Sequence, residues 1–219
     1  MKKVAVILSG CGVFDGAEIH ESVLVLLALD RAKAETICAA PDVPQHHVIN
    51  HLTKQVVPGE TRNVLAESAR IARGQIIPLS QLKVNELDAI IVPGGFGAAK
   101  NLCNFALAGE GFTVHPQVAT ALEEAHRADK PIGLVCIAPA IGARLFGPAG
   151  LEFTIGTDAG TAKTLQQLGG HHVNCNVHNV VVDRRLKLVT TPAYMLASRI
   201  TEAEAGIIKL VQAVLELAG

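Results

Sequence analysis

Cys136 stands directly after an apolar run, Ile132–Val135, and directly before a segment of helical character that opens at Ile137. A thiol at such a strand-to-helix turn faces the free N–H groups and positive dipole end of the helix, which stabilise a thiolate and lower its pKa. This is a nucleophile elbow with sulfur in place of oxygen. Free cysteine is more often a small buried hydrophobe, and position is what separates Cys136 from Cys38, Cys103 and Cys175. A second loop, Pro93-Gly94-Gly95-Phe96-Gly97, follows the run Ala89–Val92. Its glycines allow a tight turn, and they also allow the backbone to present amides to a ligand as an oxyanion cradle. The third loop runs from Gly10 through Gly12 to Gly16 and leads into Ala17-Glu18-Ile19-His20-Glu21. Asp15 and Glu18 have the spacing of a capping box, which gives Glu18 a structural task. Glu21 has no such task. It either complements the helix dipole as a solvated acid or faces the mouth of a sheet, where burial raises its pKa and suits it to proton transfer. His20 points about 100° away from Glu21 around a helix.

Other chemistries fit the residues less well. Gly10, Gly12 and Gly16 follow a strand and open a helix, and Asp42 lies where a ribose-binding acid belongs, as in a dinucleotide fingerprint. Asp15, Glu18 and Glu21 then crowd the place where a pyrophosphate has to sit. Gly95, Gly97 and Lys100 do not make a Walker A loop. Two histidine groups, His46/His47/His51 and His171/His172/His178 with Cys175, match no zinc spacing, so no metal is expected. With Lys+Arg 19 against Asp+Glu 20, a net charge of −1 and 3% aromatic residues, nothing favours a nucleic acid or an anionic membrane as partner. The longest apolar run, Val23–Leu29, falls far short of the roughly 20 residues of a membrane span. Five scattered cysteines without a CxxC pair point to a reducing compartment, taken as the cytoplasm.

The elements that must position these loops follow from periodicity. Short Val/Ile-rich runs alternate with segments of helical period, as in βαβ units that build a mainly parallel sheet covered on both faces. The expected strands are 3–9, 35–39, 89–92, 132–135 and 186–189. The expected helices are 16–31, 60–72, 116–128, 137–145, 158–168 and 192–217, the last with Thr191 as N-cap and Pro192 at its first position. A single domain of 219 residues is implied, with a polar inserted loop at about 41–59. In open α/β sheets, ligands bind beyond the carboxyl ends of the strands. All three loops lie there.

Taken together, the segment from Gly16 to Glu21, the Val92–Gly97 loop and the Gly133-Leu134-Val135-Cys136-Ile137-Ala138 elbow resemble the PfpI-like superfamily, related to class I glutamine amidotransferases. The stretches Ile7–Gly12, Val92–Asn101, Cys136–Ala140, Thr154–Asp158 and Val189–Leu196 more closely resemble the ElbB family of amidotransferase-like glyoxalases, over essentially the full length. The resemblance implies a flavodoxin-like three-layer sandwich, commonly in a homodimer, with nucleophile Cys136 and partner Glu21. It also implies conversion of glyoxal and related α-oxoaldehydes to hydroxy acids without glutathione, metal or other cofactor. Hydrolytic superfamily members carry a histidine where Thr154–Asp158 or Thr190–Pro192 stand here, which weakens a Cys-His triad. The expected mechanism is a hemithioacetal on Cys136, with its oxyanion held near Gly95 and Ile137 and its proton moved by Glu21. Gly94 and Gly12 are expected to face the substrate. The alternatives are an amidotransferase-like or other cysteine hydrolase or deglycase, with a histidine supplied by the His46–His51 loop or a partner, and a redox sensor built on Cys136.

Overall fold

The structure is a computed structural model that describes residues 1–219. In chain order its elements are β1 (Lys3–Ile7), α1 (Ile19–Arg31), β2 (Glu35–Ala40), β3 (Ile49–Asn50), β4 (Gln55–Val56), α2 (Val64–Ile71), β5 (Ile76–Pro78) and β6 (Ala89–Val92). Then come α3 (Phe96–Lys100), α4 (Phe105–Ala108), α5 (Pro116–Arg127), β7 (Ile132–Val135), α6 (Pro139–Phe146), β8 (Glu152–Phe153), α7 (Ala159–Gln166), β9 (His171–His172), β10 (Val181–Asp183), β11 (Leu188–Thr191) and α8 (Ile200–Leu217). Seven strands form one sheet in the order β10-β11-β7-β6-β1-β2-β5. All its pairs are parallel except β10 with β11 at one edge.

The central strands are buried on both faces, and their residues alternate between two cores. Ile7, Ile90, Val92, Ile132 and Leu134 face α5 and α6 through Val118, Leu122 and Ile141. Val4, Val6, Ile91, Val135 and Val189 face α1 and α8 through Val25, Leu29, Ile207 and Leu210. A period of two that is apolar on both faces reads as the continuous Val/Ile runs seen in the sequence. The α/β sandwich expected from them is the fold observed. No helix is long and apolar enough to cross a membrane.

Three local expectations need correction. The strand expected at 186–189 lies at Leu188–Thr191, in register with β7 (Leu188 beside Ile132). Asp15 and Glu18 do not form a capping box. Glu18 is itself the N-cap of α1 and accepts the Glu21 N–H at 2.7 Å, whereas Asp15 accepts the N–H of Ile49 at 2.7 Å. The last helix does not begin at Pro192. That proline opens a 3₁₀ turn over Ala193–Met195, and α8 starts only at Ile200, where the Glu202 carboxylate accepts the N–H groups of Ser198 and Arg199. Proline's fixed φ suits the first position of either helix type, so the Thr-Pro signal is genuine but marks a turn.

The 41–59 stretch carries the β3–β4 hairpin and lies against the first loop. His51 packs its ring on Phe14 at 5.1 Å and accepts the Phe14 N–H at 3.3 Å. Asn101, just past α3, ties the two together: its side chain donates to the carbonyls of Ser9 and Asp15, each at 2.9 Å, and accepts the His46 N–H at 3.0 Å. Hydrogen bonds are worth about 0.5–1.5 kcal/mol net each, and a stranded buried partner costs about 1–3. Asn101→Ala is therefore expected to lower the unfolding free energy by roughly 2–4 kcal/mol, measured by urea titration. A loss below about 0.5 kcal/mol would show that water replaces all three bonds.

Candidate functional site

The three loops meet at the carboxyl end of the sheet, where β7 ends in Cys136. That residue adopts φ +63, a left-handed conformation that costs a non-glycine residue energy and is held by its surroundings. Its N–H donates to the carbonyl of Thr191 at 2.9 Å, which locks the elbow to the end of β11. Pro139 then opens α6, whose first position needs no N–H donor.

Glu21 is completely buried in the first turn of α1. Its carboxyl is held from two sides: Oε2 accepts the Gly94 N–H at 3.0 Å and Oε1 accepts the Tyr194 N–H at 3.1 Å. The Cys136 thiol flanks the same Gly94 position as the carboxyl, and the two groups shift each other's titration. Gly94 explains how the loops come so close. A Cβ there would lie 2.5 Å from Cys136 Cβ and 2.7 Å from Glu21 Oε2, so no larger residue fits.

Burial and the nearby Glu18 carboxylate push Glu21 up to about 8, against the opposing N–H groups of Tyr194 and Gly94. Burial and the Glu21 carboxylate push the Cys136 thiol well up, while the N–H groups of Gly95 and Ile137 pull it down. The lowered thiol pKa expected at the helix start is thus reversed, because desolvation and an adjacent carboxyl outweigh two amide dipoles. The pair titrates as a unit. The Glu21 carboxyl is the first to lose its proton, near 8, and the Cys136 thiol holds its own well above the ordinary thiol range.

A cavity of about 420 Å³ opens beside the sulfur. Cys136, Ile137, Gly95, Glu18 and Tyr194 line it at the reacting end, and Val13, Phe96, Ala99, Phe105, Ala106, Thr161 and Met195 complete its walls. Of the residues expected from sequence, Cys136, Gly95 and Ile137 line the cavity, and Glu21 and Gly94 lie against Cys136 outside that lining. The Gly94 amide is spent on Glu21, so it orders the carboxyl instead of facing a ligand. Gly12 is not in the site: its N–H donates to Ala17 at 2.9 Å, and it packs against His51 with φ +135. No histidine lines the cavity. His20 reaches its rim indirectly, through a 2.8 Å bond between Nδ1 and the Tyr194 hydroxyl.

Sequence reasoning missed Tyr194 and the pocket face of Glu18. Tyr194 falls in the first turn of the helix expected at 192–217. The signal lies in Pro192 and Ala193: the latter takes φ +42, and this turn aims the Tyr194 N–H back at Glu21.

Fold and site together define an α/β protein of the amidotransferase-like type. No family model matches the chain. The chain is 48% identical over 226 aligned residues to a human protein named glutamine amidotransferase-like class 1 domain-containing protein 3, mitochondrial, covering 99% of this chain and 84% of that one. It is 33% identical to the zebrafish ES1 protein, mitochondrial, over 88% of this chain and 76% of that one. Among solved structures, an isoprenoid biosynthesis protein with amidotransferase-like domain from Ehrlichia chaffeensis matches at TM-score 0.91 and 38% identity, covering 98% of this chain and 99% of that one. Glyoxalase III from Candida albicans shares the fold, at TM-score 0.65 and 15% identity over 99% of this chain and 97% of that one. The chain belongs to the family of glutamine amidotransferase-like class 1 domain and ES1 proteins.

The expectation of a cytoplasmic protein is overturned by these relatives, which are named mitochondrial. Unpaired cysteines report a reducing environment and do not distinguish the cytoplasm from other reducing compartments.

The raised Glu21 carboxyl also sets a pH dependence of stability. Between the ordinary value of 4.5 and about 8, the folded chain keeps a proton that the unfolded chain releases. Stability therefore falls as pH rises through that window, by at most about 1.4 kcal/mol per pH unit from this group. Glu21→Gln removes this contribution, so its unfolding free energy is expected to vary less between pH 5 and 8 than that of the wild type. Urea titrations at several pH values that give parallel curves would refute the assignment.

Proposed function

We propose that this chain is a glutathione-independent, cofactor-free glyoxalase of the ElbB type, converting glyoxal and related α-oxoaldehydes to glycolate-type hydroxy acids. The observation that carries the reading is a single thiol, Cys136, set beside a fully buried carboxyl at the end of a largely apolar cavity that no histidine lines. A hydrolase or amidotransferase needs a base such as histidine to activate the thiol and protonate a leaving amine. An isomerising aldehyde chemistry needs only a nucleophile and one group that gives and takes a proton. The ElbB reading also draws on the name of the Ehrlichia chaffeensis protein, with its isoprenoid biosynthesis and amidotransferase-like domain.

The steps follow from the geometry. With one proton on the pair, that proton passes from the Cys136 sulfur to Glu21 as the sulfur adds to an aldehyde carbon, and the carbonyl π electrons move to oxygen. The Gly95 and Ile137 amides, directed at the sulfur, receive the developing oxyanion, and Glu21 supplies its proton to give the hemithioacetal. Now ionised, Glu21 takes the proton from the sulfur-bearing carbon, leaving an enediolate, and returns it to the neighbouring carbon. The hydroxyl proton passes to the adjacent oxygen, and the product is a hydroxyacyl thioester. Water cleaves the thioester, releasing the hydroxy acid anion, one proton to solvent and the pair in its starting state.

The test is conversion of glyoxal to glycolate by purified protein with chelator and without glutathione. Cys136→Ser is expected to have no turnover, and Glu21→Gln to lose about 10²–10⁴-fold in kcat. Because the one-proton state forms near 8, kcat/KM is expected to climb about tenfold per pH unit below that value and level off above it. Wild-type turnover in Cys136→Ser would overturn the proposal.

A further inference from the structure

Glyoxal is two carbonyls and nothing more, and it does not fill this cavity. Cavities of about 300–1,000 Å³ enclose whole drug-sized ligands, and the space beside Cys136 is about 420 Å³. Beyond the reacting end its walls are apolar, built chiefly from Phe96, Phe105 and Met195. Phe105 is held edge-on to buried Phe112 at 5.0 Å between ring centroids, so that wall is formed before any ligand arrives. A substrate that leaves these surfaces wet gains nothing from them. One with a hydrocarbon substituent removes them from water.

The charge of the lining is one-sided. Glu18 is its only formally charged side chain, and no lysine or arginine lines it. The Glu18 carboxylate is fixed in place by the Glu21 N–H at 2.7 Å, and its charge is felt by both Glu21 and Tyr194. Lys100 stacks over the Phe96 ring at 4.9 Å and donates to the Phe14 carbonyl at 3.1 Å, and it is not part of the lining. A negative charge carried by a substrate therefore enters a low-dielectric space that holds a like charge and no counter-charge.

We infer that the cavity selects neutral α-oxoaldehydes bearing a branched alkyl or aryl substituent, seated against Phe96, Phe105 and Met195, and rejects anionic ones through Glu18. The reaction in this inference rests on the glyoxalase reading. The selectivity rests on the cavity alone.

Three substrates test it: glyoxal, isopentylglyoxal, and dioxovalerate, in which a carboxylate replaces the terminal isopropyl group of the second. In parallel, the rates at which iodoacetamide, its N-phenyl derivative and iodoacetate alkylate Cys136 are measured, each divided by the rate with free N-acetylcysteine. The wild type is expected to show kcat/KM at least about tenfold higher for isopentylglyoxal than for either of the others, and the alkylations are expected to favour the N-phenyl reagent and disfavour iodoacetate. Glu18→Gln keeps an oxygen to cap α1 and is expected to narrow the gap between neutral and anionic compounds. Phe96→Ala, at a half-exposed position, is expected to narrow the gap between isopentylglyoxal and glyoxal severalfold. Unchanged discrimination in both variants, or a wild type indifferent to substituent and charge in both assays, overturns the inference even if glyoxal is turned over. The alkylation pattern with no turnover of any aldehyde supports the cavity assignment and defeats the glyoxalase reading.

Discussion

A carboxyl with no exposed surface has to find partners inside the protein, and the way Glu21 finds them organises the site. One oxygen takes the amide of Gly94 from the loop after β6, and the other takes the amide of Tyr194 from the turn after β11. The thiol at the end of β7 completes its surroundings. Three strand ends from different parts of the chain are thereby fixed to one first-turn residue of α1. Their spacing leaves no room for a side chain at Gly94, and it leaves Cys136 in a left-handed conformation that its neighbours must hold. A buried acid is costly, and the cost is tolerated where the same burial brings the proton of the carboxyl into the working range of the thiol.

The surroundings divide the labour among similar groups. Glu18 and Glu21 lie three residues apart on one helix start, yet one caps the helix and lines the cavity while the other is buried beside the thiol. Gly94 and Gly95 are adjacent, yet one amide orders the carboxyl and the other acts on the sulfur. Residue type alone does not separate these roles. The register of loop against helix does.

Periodicity and position carried the sequence reading far. β6 and β7 lie where their apolar runs place them, because strands buried on both faces write themselves as unbroken Val/Ile segments. Cys136 stood out by following one of these runs, and Glu21 by being an acid without a local task on an apolar helix. What stayed illegible depends on contacts between distant segments. β5 and β10 are three-residue strands that pair at the sheet's edges, and too short to display a period. Asp15 looked like a cap because the partner it serves, Ile49, lies 34 positions away. The turn from Pro192 to Leu196 carries the opening of a helix in its sequence, yet Ala193 turns left-handed there and Tyr194 gives its amide to Glu21, a partner 173 positions away.

The bond between Glu21 and Tyr194 spans 173 positions, and this has a temporal meaning. A ribosome adds about 5–20 residues per second, so Glu21 emerges many seconds before the backbone amide that will hold its second oxygen exists. Cys136 likewise precedes the Thr191 carbonyl to which its own N–H is tied. An incomplete nascent chain can lay down β1, β2 and β6 side by side, but it has no assembled thiol–carboxyl pair. The thiol–carboxyl pair is therefore assembled only once nearly the whole polypeptide has been made, and a translation product that ends before Tyr194 lacks the amide that holds the second oxygen of Glu21.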